Sequence, residues 1–282
     1  MKIPRRLRPL ADEGIIDSVV RQLMSGKEAM VFVVRCGAAA RCAKVYKEAD
    51  RRSFRQAVDY TENRKTKNTR QARAMAKGTR FGRESQEKAW QSAEVAALYR
   101  LAAAGVRVPR PFNFHEGVLL MELVTDDDGN AAPRLNDRDF APEIAIELHG
   151  RLMSEVVRML CAGIVHGDLS EFNILLAADG PVIIDLPQAV DAAGNNHAQR
   201  MLVRDVDNLR RFFGRFAPAL LATDFGNEIW TLYESGALRP DVVLTGQFER
   251  DEGAVDLDGV LREIDDARFD EAARQLRLRD HQ

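Results

Sequence analysis

The stretch "GIVHGDLSEFNILLAADGPVIID", Gly163 to Asp185, decides how this chain is read. It places His166, Asp168, Asn173 and Asp185 within twenty residues, with apolar residues between them. Polar groups drawn into a fold must find partners there. A short polar loop hung between apolar segments is therefore a fixed constellation with a task. Asn173 follows Asp168 by five residues, and Asp185 follows Asn173 by twelve, at the end of an apolar run. That spacing matches a catalytic loop followed by a strand that ends in a metal-binding Asp.

The residue types fit phosphoryl transfer. ATP is a polyanion, so a site that handles it needs a divalent metal. The Asn173 amide oxygen and the Asp185 carboxylate are hard ligands suited to Mg²⁺, with Mn²⁺ as a substitute. Mg²⁺ fills its other positions with water and phosphate oxygens. Asp168 lies on the same loop, where it can accept a hydrogen bond from an attacking hydroxyl and act as the base. Ile174, Leu176, Val182 and Ile184 alternate along the two apolar arms and pin the polar residues to a core, which supplies positioning. His166 reads as a packing residue that orients the loop.

Moving outward, "RCAKVYK" places Lys44 in the second strand of a hairpin. An ammonium pointing inward from a strand is expensive to bury unless a phosphate and a carboxylate meet it. Glu94, on a following helix, is the candidate carboxylate, and a surface position on that charged helix is the alternative. Lys47 competes with Lys44. The two fall on opposite strand faces, Ala43 and Val45 do not choose between them, and spacing from the glycine turn favours Lys44. The preceding "LMSGKEAMVF" holds one glycine, so the phosphate contact would come from the Ser25 hydroxyl, Gly26 backbone and Lys27 ammonium. "LLMELV" would meet adenine through the backbone of Glu122 and Val124, since an extended segment leaves N–H and C=O groups to be paired.

The whole chain of 282 residues is long enough for one large domain or two lobes. Hydrophobic residues make up 45% and charged residues 30%, a globular composition. No apolar run exceeds six residues, which excludes a membrane-spanning helix, and the basic N-terminus lacks the apolar segment of a secretory signal. Three cysteines without metal-like spacing point to a reduced cytoplasm. Between Arg51 and Arg83 lie eleven Lys or Arg and two acids, Asp59 and Glu62, a net +9 in a chain whose total is −2. Such a run is either a solvated face or a contact for phosphate backbone, as in RNA.

The order of elements reads as a lead-in over 1–24 with one helical turn or two in "DEGIIDSVVRQLM", a hairpin, the basic insertion at 49–83, a helix from Glu84 to Gly105, and two strands turning at Glu116-Gly117. An acidic break near Thr125 divides an N-terminal lobe, 1–124, from a mostly helical C-terminal lobe, 125–282. In the second lobe a long amphipathic helix precedes the opening stretch. Helices over 199–222 and 224–236 follow it, with a charged tail helix over 257–279. The fold class is α+β, a small antiparallel sheet followed by helices in a two-lobed protein-kinase-like arrangement.

The pieces "SGKEAMVF", "CAKVYK", "VLLMELV", "HGDLSEFNILL" and "VIIDLPQAV" together resemble the RIO-type atypical protein kinases over roughly Asp17 to Ala222. The likeness is greatest to the branch without an N-terminal winged helix, since fewer than thirty residues precede the phosphate loop. It implies an ATP- and Mg²⁺-dependent serine/threonine kinase that also phosphorylates itself. By that resemblance Asp168 is the base, Asn173 and Asp185 hold metal, Lys44 holds phosphate, and Glu122 and Val124 contact adenine. It further implies that Asp185 can carry phosphate during ATP hydrolysis, and that small-subunit ribosome maturation is a setting for such proteins. Gly167 stands where ordinary protein kinases carry an Arg, and Leu186-Pro187 replaces Phe-Gly, so activation-loop control is not expected. Two other readings remain. One is a small-molecule phosphotransferase of the aminoglycoside or choline kind. The other is an ATPase-driven assembly factor that binds ribosomal RNA through residues 51–83.

Overall fold

A computed structural model describes residues 2–26, 29–47 and 93–248. Lys27, the basic insertion, the start of the helix expected from Glu84 and the tail helix expected over 257–279 lie outside the described residues.

Five antiparallel strands form the first part: β1 (Ser18–Ser25), β2 (Ala29–Cys36), β3 (Ala39–Tyr46), β4 (Pro111–His115) and β5 (Val118–Glu122). Their order in the sheet is β1-β2-β3-β5-β4. The turn between β4 and β5 is the expected one. Glu116 and Gly117 both have positive φ, 47° and 74°, the two-residue geometry whose twist suits a hairpin.

β1 corrects the reading of the lead-in as helical. Ile15, Ile16, Val19, Val20, Leu23 and Met24 recur at helix-like intervals. The strand produces that spacing because its pairing with β2 shifts register between Val19 and Arg21 and again between Gln22 and Met24. Each irregularity inserts a residue and breaks the two-residue alternation. Helical turns do occur, but earlier, in Arg5–Leu7 and α1 (Arg8–Asp12).

The two faces of the sheet have different neighbours. Phe32, Val34, Ala43, Val45, Val118 and Leu120 cluster with Leu7, Leu10, Ile16 and Val19. The N-terminal segment thus covers one face. The other face carries Tyr46 and Leu119 into the main core with Val95, Leu98 and Leu101 of α2, helical over 93–103. Gly105, at φ 76°, sits just past the end of that helix.

Helices dominate the second part of the chain. α3 (Pro142–Cys161) starts with Pro at its first position, where the missing N–H is harmless. β6 (Ile164–Val165) pairs with β9 (Val190–Asp191), and β7 (Ile174–Ala177) pairs with β8 (Gly180–Ile183). α4 (Ala198–Gly214) is shorter than the helix expected over 199–222. Pro218 cannot continue an α-helix, and a 3₁₀ segment, Pro218–Ala222, takes over. α5 (Phe225–Glu234) is capped by the Asp224 carboxylate, which accepts the Asn227 N–H. Val156, Leu160, Ile174, Ile183, Leu202, Val206 and Phe213 join these elements in one core. The architecture is α+β, an antiparallel sheet followed by helices in two kinase-like lobes. Cys36, Cys42 and Cys161 are free.

Candidate active site

β3 carries Lys44 on the face opposite the covered one. Its ammonium donates to Glu94 Oε1 at 2.6 Å and to Asp185 Oδ1 at 2.8 Å. Lys44 is the lysine of the cleft. Lys47, just past the end of β3, instead donates to the Gly26 carbonyl. Glu94 is buried rather than a surface residue of its helix. Desolvation opposes the charge on Lys44, but Asp185 and then Glu94 outweigh it and lift its pKa well above the usual lysine value. The reciprocal holds for Asp185. Desolvation tends to raise its carboxyl, and the Lys44 charge and hydrogen bond pull it below the ordinary carboxylate range. Even so, 47% of the Asp185 side chain faces solvent, a carboxylate open to a ligand. Its backbone is left-handed, φ 68°, a conformation that non-glycine residues adopt sparingly and often at functional sites.

The loop that carries Asp168 is held from both sides. His166 is buried; its Nδ1 accepts the Asp168 N–H at 3.2 Å, so its Nε2 bears the proton and donates to the Ile184 carbonyl at 3.1 Å. One imidazole therefore ties the loop to the residue just before Asp185, the orienting role expected of it. Burial lowers the His166 pKa and keeps the ring neutral. Asn173 donates its amide N–H to the Asp168 carbonyl at 2.9 Å. From α4, Asp205 accepts the Gly167 N–H at 2.8 Å and the Leu169 N–H at 3.1 Å, clasping the residues on both sides of Asp168. Arg204 and Asn208, also on α4, donate to the Gly167 and Leu169 carbonyls. Burial pushes the Asp205 carboxyl up to about 8, against the pull of Arg204 and the two N–H donors.

Sequence reasoning did not single out Asp205. The signal was present: on α4 it shares the buried stripe of Met201, Leu202, Val206, Leu209, Phe212 and Phe213, a core position for a carboxylate.

At the strand end, the Glu122 N–H donates to the Arg110 carbonyl at 2.8 Å, and the Val124 carbonyl accepts the Ala132 N–H at 3.0 Å. Among the described residues the Val124 N–H has no hydrogen-bond partner. The Glu122 side chain leaves the cleft altogether and pairs with Arg107, a second residue that the sequence did not flag. Ser25 ends β1 in an exposed position. Gly26 donates its N–H to the Ala29 carbonyl and so closes the β1–β2 turn. Lys27 lies outside the described residues. Leu98, Leu119, Met121 and Leu186 line a small pocket together with Lys44, Glu94 and Asp185.

The chain thus combines a strand lysine bonded to a helix glutamate and a post-strand aspartate with a loop built as D-x₄-N. The RIO domain family model matches residues 30–225. The chain belongs to the RIO family. It is 36% identical over 212 residues to the RIO-type serine/threonine-protein kinase Rio1 of Haloferax volcanii, covering 73% of this chain and 67% of that one. Against Rio1 of Methanocaldococcus jannaschii the identity is 33% over 193 residues, 68% of this chain and 61% of the relative. Against the serine/threonine-protein kinase RIO3 of Caenorhabditis elegans it is 31% over 220 residues, 75% of this chain but only 40% of the relative. The matched RIO domain contains Lys44, Glu94, Asp168, Asn173 and Asp185.

Proposed function

We propose that this RIO domain is an ATP-dependent serine/threonine protein kinase. The observation that carries the reading is Lys44 bonded at once to Glu94 and Asp185, at 2.6 and 2.8 Å, opposite a loop anchored around Asp168. In this reading Lys44 holds phosphate, Glu94 orients Lys44, and Asp168 takes the proton of the attacking hydroxyl. Ser25, Gly26 and Lys27 flank the phosphates, and adenine lies against the backbone of Glu122 and the unpartnered Val124 N–H. The lobes meet near residue 124.

The oxygen donors Asn173 and Asp185 suit Mg²⁺, or Mn²⁺ in its place. Among the described residues no three His, Cys, Asp or Glu side chains gather as a metal cage. Two protein oxygens fit a metal that takes its other ligands from phosphate and water. When bound, the metal would neutralise charge on the phosphates. Among the described residues no helix is long and apolar enough to cross a membrane. The net +9 stretch of residues 51–83 extends the proposal to a polyanionic partner such as ribosomal RNA, held by counterion release and weakened steeply by salt.

Protein rather than small-molecule substrate is favoured because the relatives are named serine/threonine-protein kinases. The test is incubation with labelled ATP and Mg²⁺ and no added substrate. Label on Ser or Thr of the protein, lost in Asp168→Ala while ATP still binds, is the expected result. Transfer only to an added aminoglycoside or choline would overturn it.

A further inference from the structure

Arg107 lies on the loop after α2, and its guanidinium meets two carboxylates from distant parts of the chain. Nη1 and Nη2 donate to Glu122 Oε2 and Oε1, both at 3.0 Å, and Nε and Nη2 donate to Asp179 Oδ2 and Oδ1 at 3.0 and 3.2 Å. Glu122 ends β5. Asp179 lies in the turn between β7 and β8, the hairpin that has Asn173 before its first strand and Asp185 after its second. The backbone of Arg107 is committed as well. Its N–H donates to Glu155 Oε2 of α3 at 2.9 Å, and its carbonyl accepts the Ile183 N–H at 3.0 Å. Glu122 Oε2 also accepts the Arg110 N–H at 3.0 Å, while Arg110 returns its carbonyl to the Glu122 N–H.

We infer that Arg107 is a positioning residue for the nucleotide: its fork locks the end of β5 to the β7–β8 hairpin and so fixes the backbone that faces adenine. This rests on the kinase function proposed for the cleft. Only a planar guanidinium supplies two parallel pairs of donors. A lysine offers one point charge and cannot fork both acids. The consequence is selective. Any side chain at position 107 keeps the backbone bonds to Glu155 and Ile183, so the segment leading to Asp185 stays in place. Substitution therefore loosens the adenine side and spares the reacting side. The loss falls on nucleotide affinity rather than on the rate at saturation.

The test uses the full chain with MgATP as the probe. Arg107→Met should weaken MgATP binding about tenfold and Arg107→Lys about three- to tenfold, with the transfer rate at saturating ATP within about threefold. Amide hydrogen exchange over residues 119–125 should quicken in both variants without any ligand. Asp179→Asn keeps the Glu122 fork and should weaken binding by about two- to threefold. Should Arg107→Met fail to fold, Arg107→Lys carries the test, since it keeps charge and length. Unchanged exchange at 119–125 and MgATP affinity within twofold would overturn the inference, as would a saturating rate that falls as far as the affinity. Wild-type protein that binds no MgATP would instead overturn the proposed function, whatever the exchange shows.

Discussion

Replacing Asp205 by Asn changes one oxygen to an NH₂ and nothing in shape. The wild-type carboxylate accepts two backbone N–H groups, from Gly167 and Leu169. An amide has one acceptor oxygen, so one of these donors must face another donor. The side chain is 2% exposed, so no water compensates. Leaving one buried N–H unmade costs about 1–3 kcal/mol. For a chain of this size that lowers the melting temperature by roughly 2–4 °C per kcal/mol.

The donors at risk belong to Gly167 and Leu169, the residues on either side of Asp168. A base moved by a fraction of an ångström loses rate, and about 1 Å costs on the order of 100-fold. The transfer rate should therefore fall about 10- to 100-fold while MgATP affinity stays within about threefold, because the groups proposed to face ATP are untouched. Steady-state transfer with a melting curve measures both. A variant with wild-type turnover, or one whose loss lies wholly in ATP affinity, would refute the claim that α4 holds the base in place.

Three further outcomes are expected. Lys44→Met strands Glu94, buried without its cation, at about 3–5 kcal/mol, and abolishes transfer; Lys47→Met frees only the Gly26 carbonyl and raises the KM for ATP a few-fold, as steady-state kinetics and denaturant titration will show. His149 lies against Phe213 and Phe225 with its Nε2 buried and unpartnered, and burial lowers its pKa from 6.5 to about 4. The folded state refuses a proton that the unfolded state accepts, so stability is full above 6.5 and is lost towards 4, by about 2 kcal/mol at pH 5. His149→Phe should flatten that acid limb in urea titrations. Asn173→Ala should raise the Mg²⁺ concentration needed for half-maximal transfer, with the fold intact by circular dichroism.

The opening stretch was legible because its chemistry is local: Asp168, Asn173 and Asp185 lie close in sequence and are spaced by apolar residues that had to be strand. Lys44 over Lys47 was legible from spacing to the glycine turn but not from strand alternation. The choice depends on which face of β3 is the cleft, and that depends on Leu7, Leu10 and Val19 covering the other face. The last of these sits on a strand whose register shifts imitate a helix. Arg107 was hidden for another reason. Its partners Glu122, Glu155 and Asp179 lie 15, 48 and 72 residues away, and only the folded topology brings them together. Asp205 stood between the two cases, visible as a charge on an apolar stripe but silent about what it would clasp.

Lys44 has two rivals for a single ammonium, and this sets an order of events. A divalent ion arriving alone would have to pull Asp185 away from a cation already in contact with it. A nucleotide would bring its own anionic oxygens, which Lys44 could take in exchange, freeing Asp185 for the metal proposed to bind there. Metal and nucleotide should therefore enter together, each making room for the other, and the bare cation should compete poorly for the cleft.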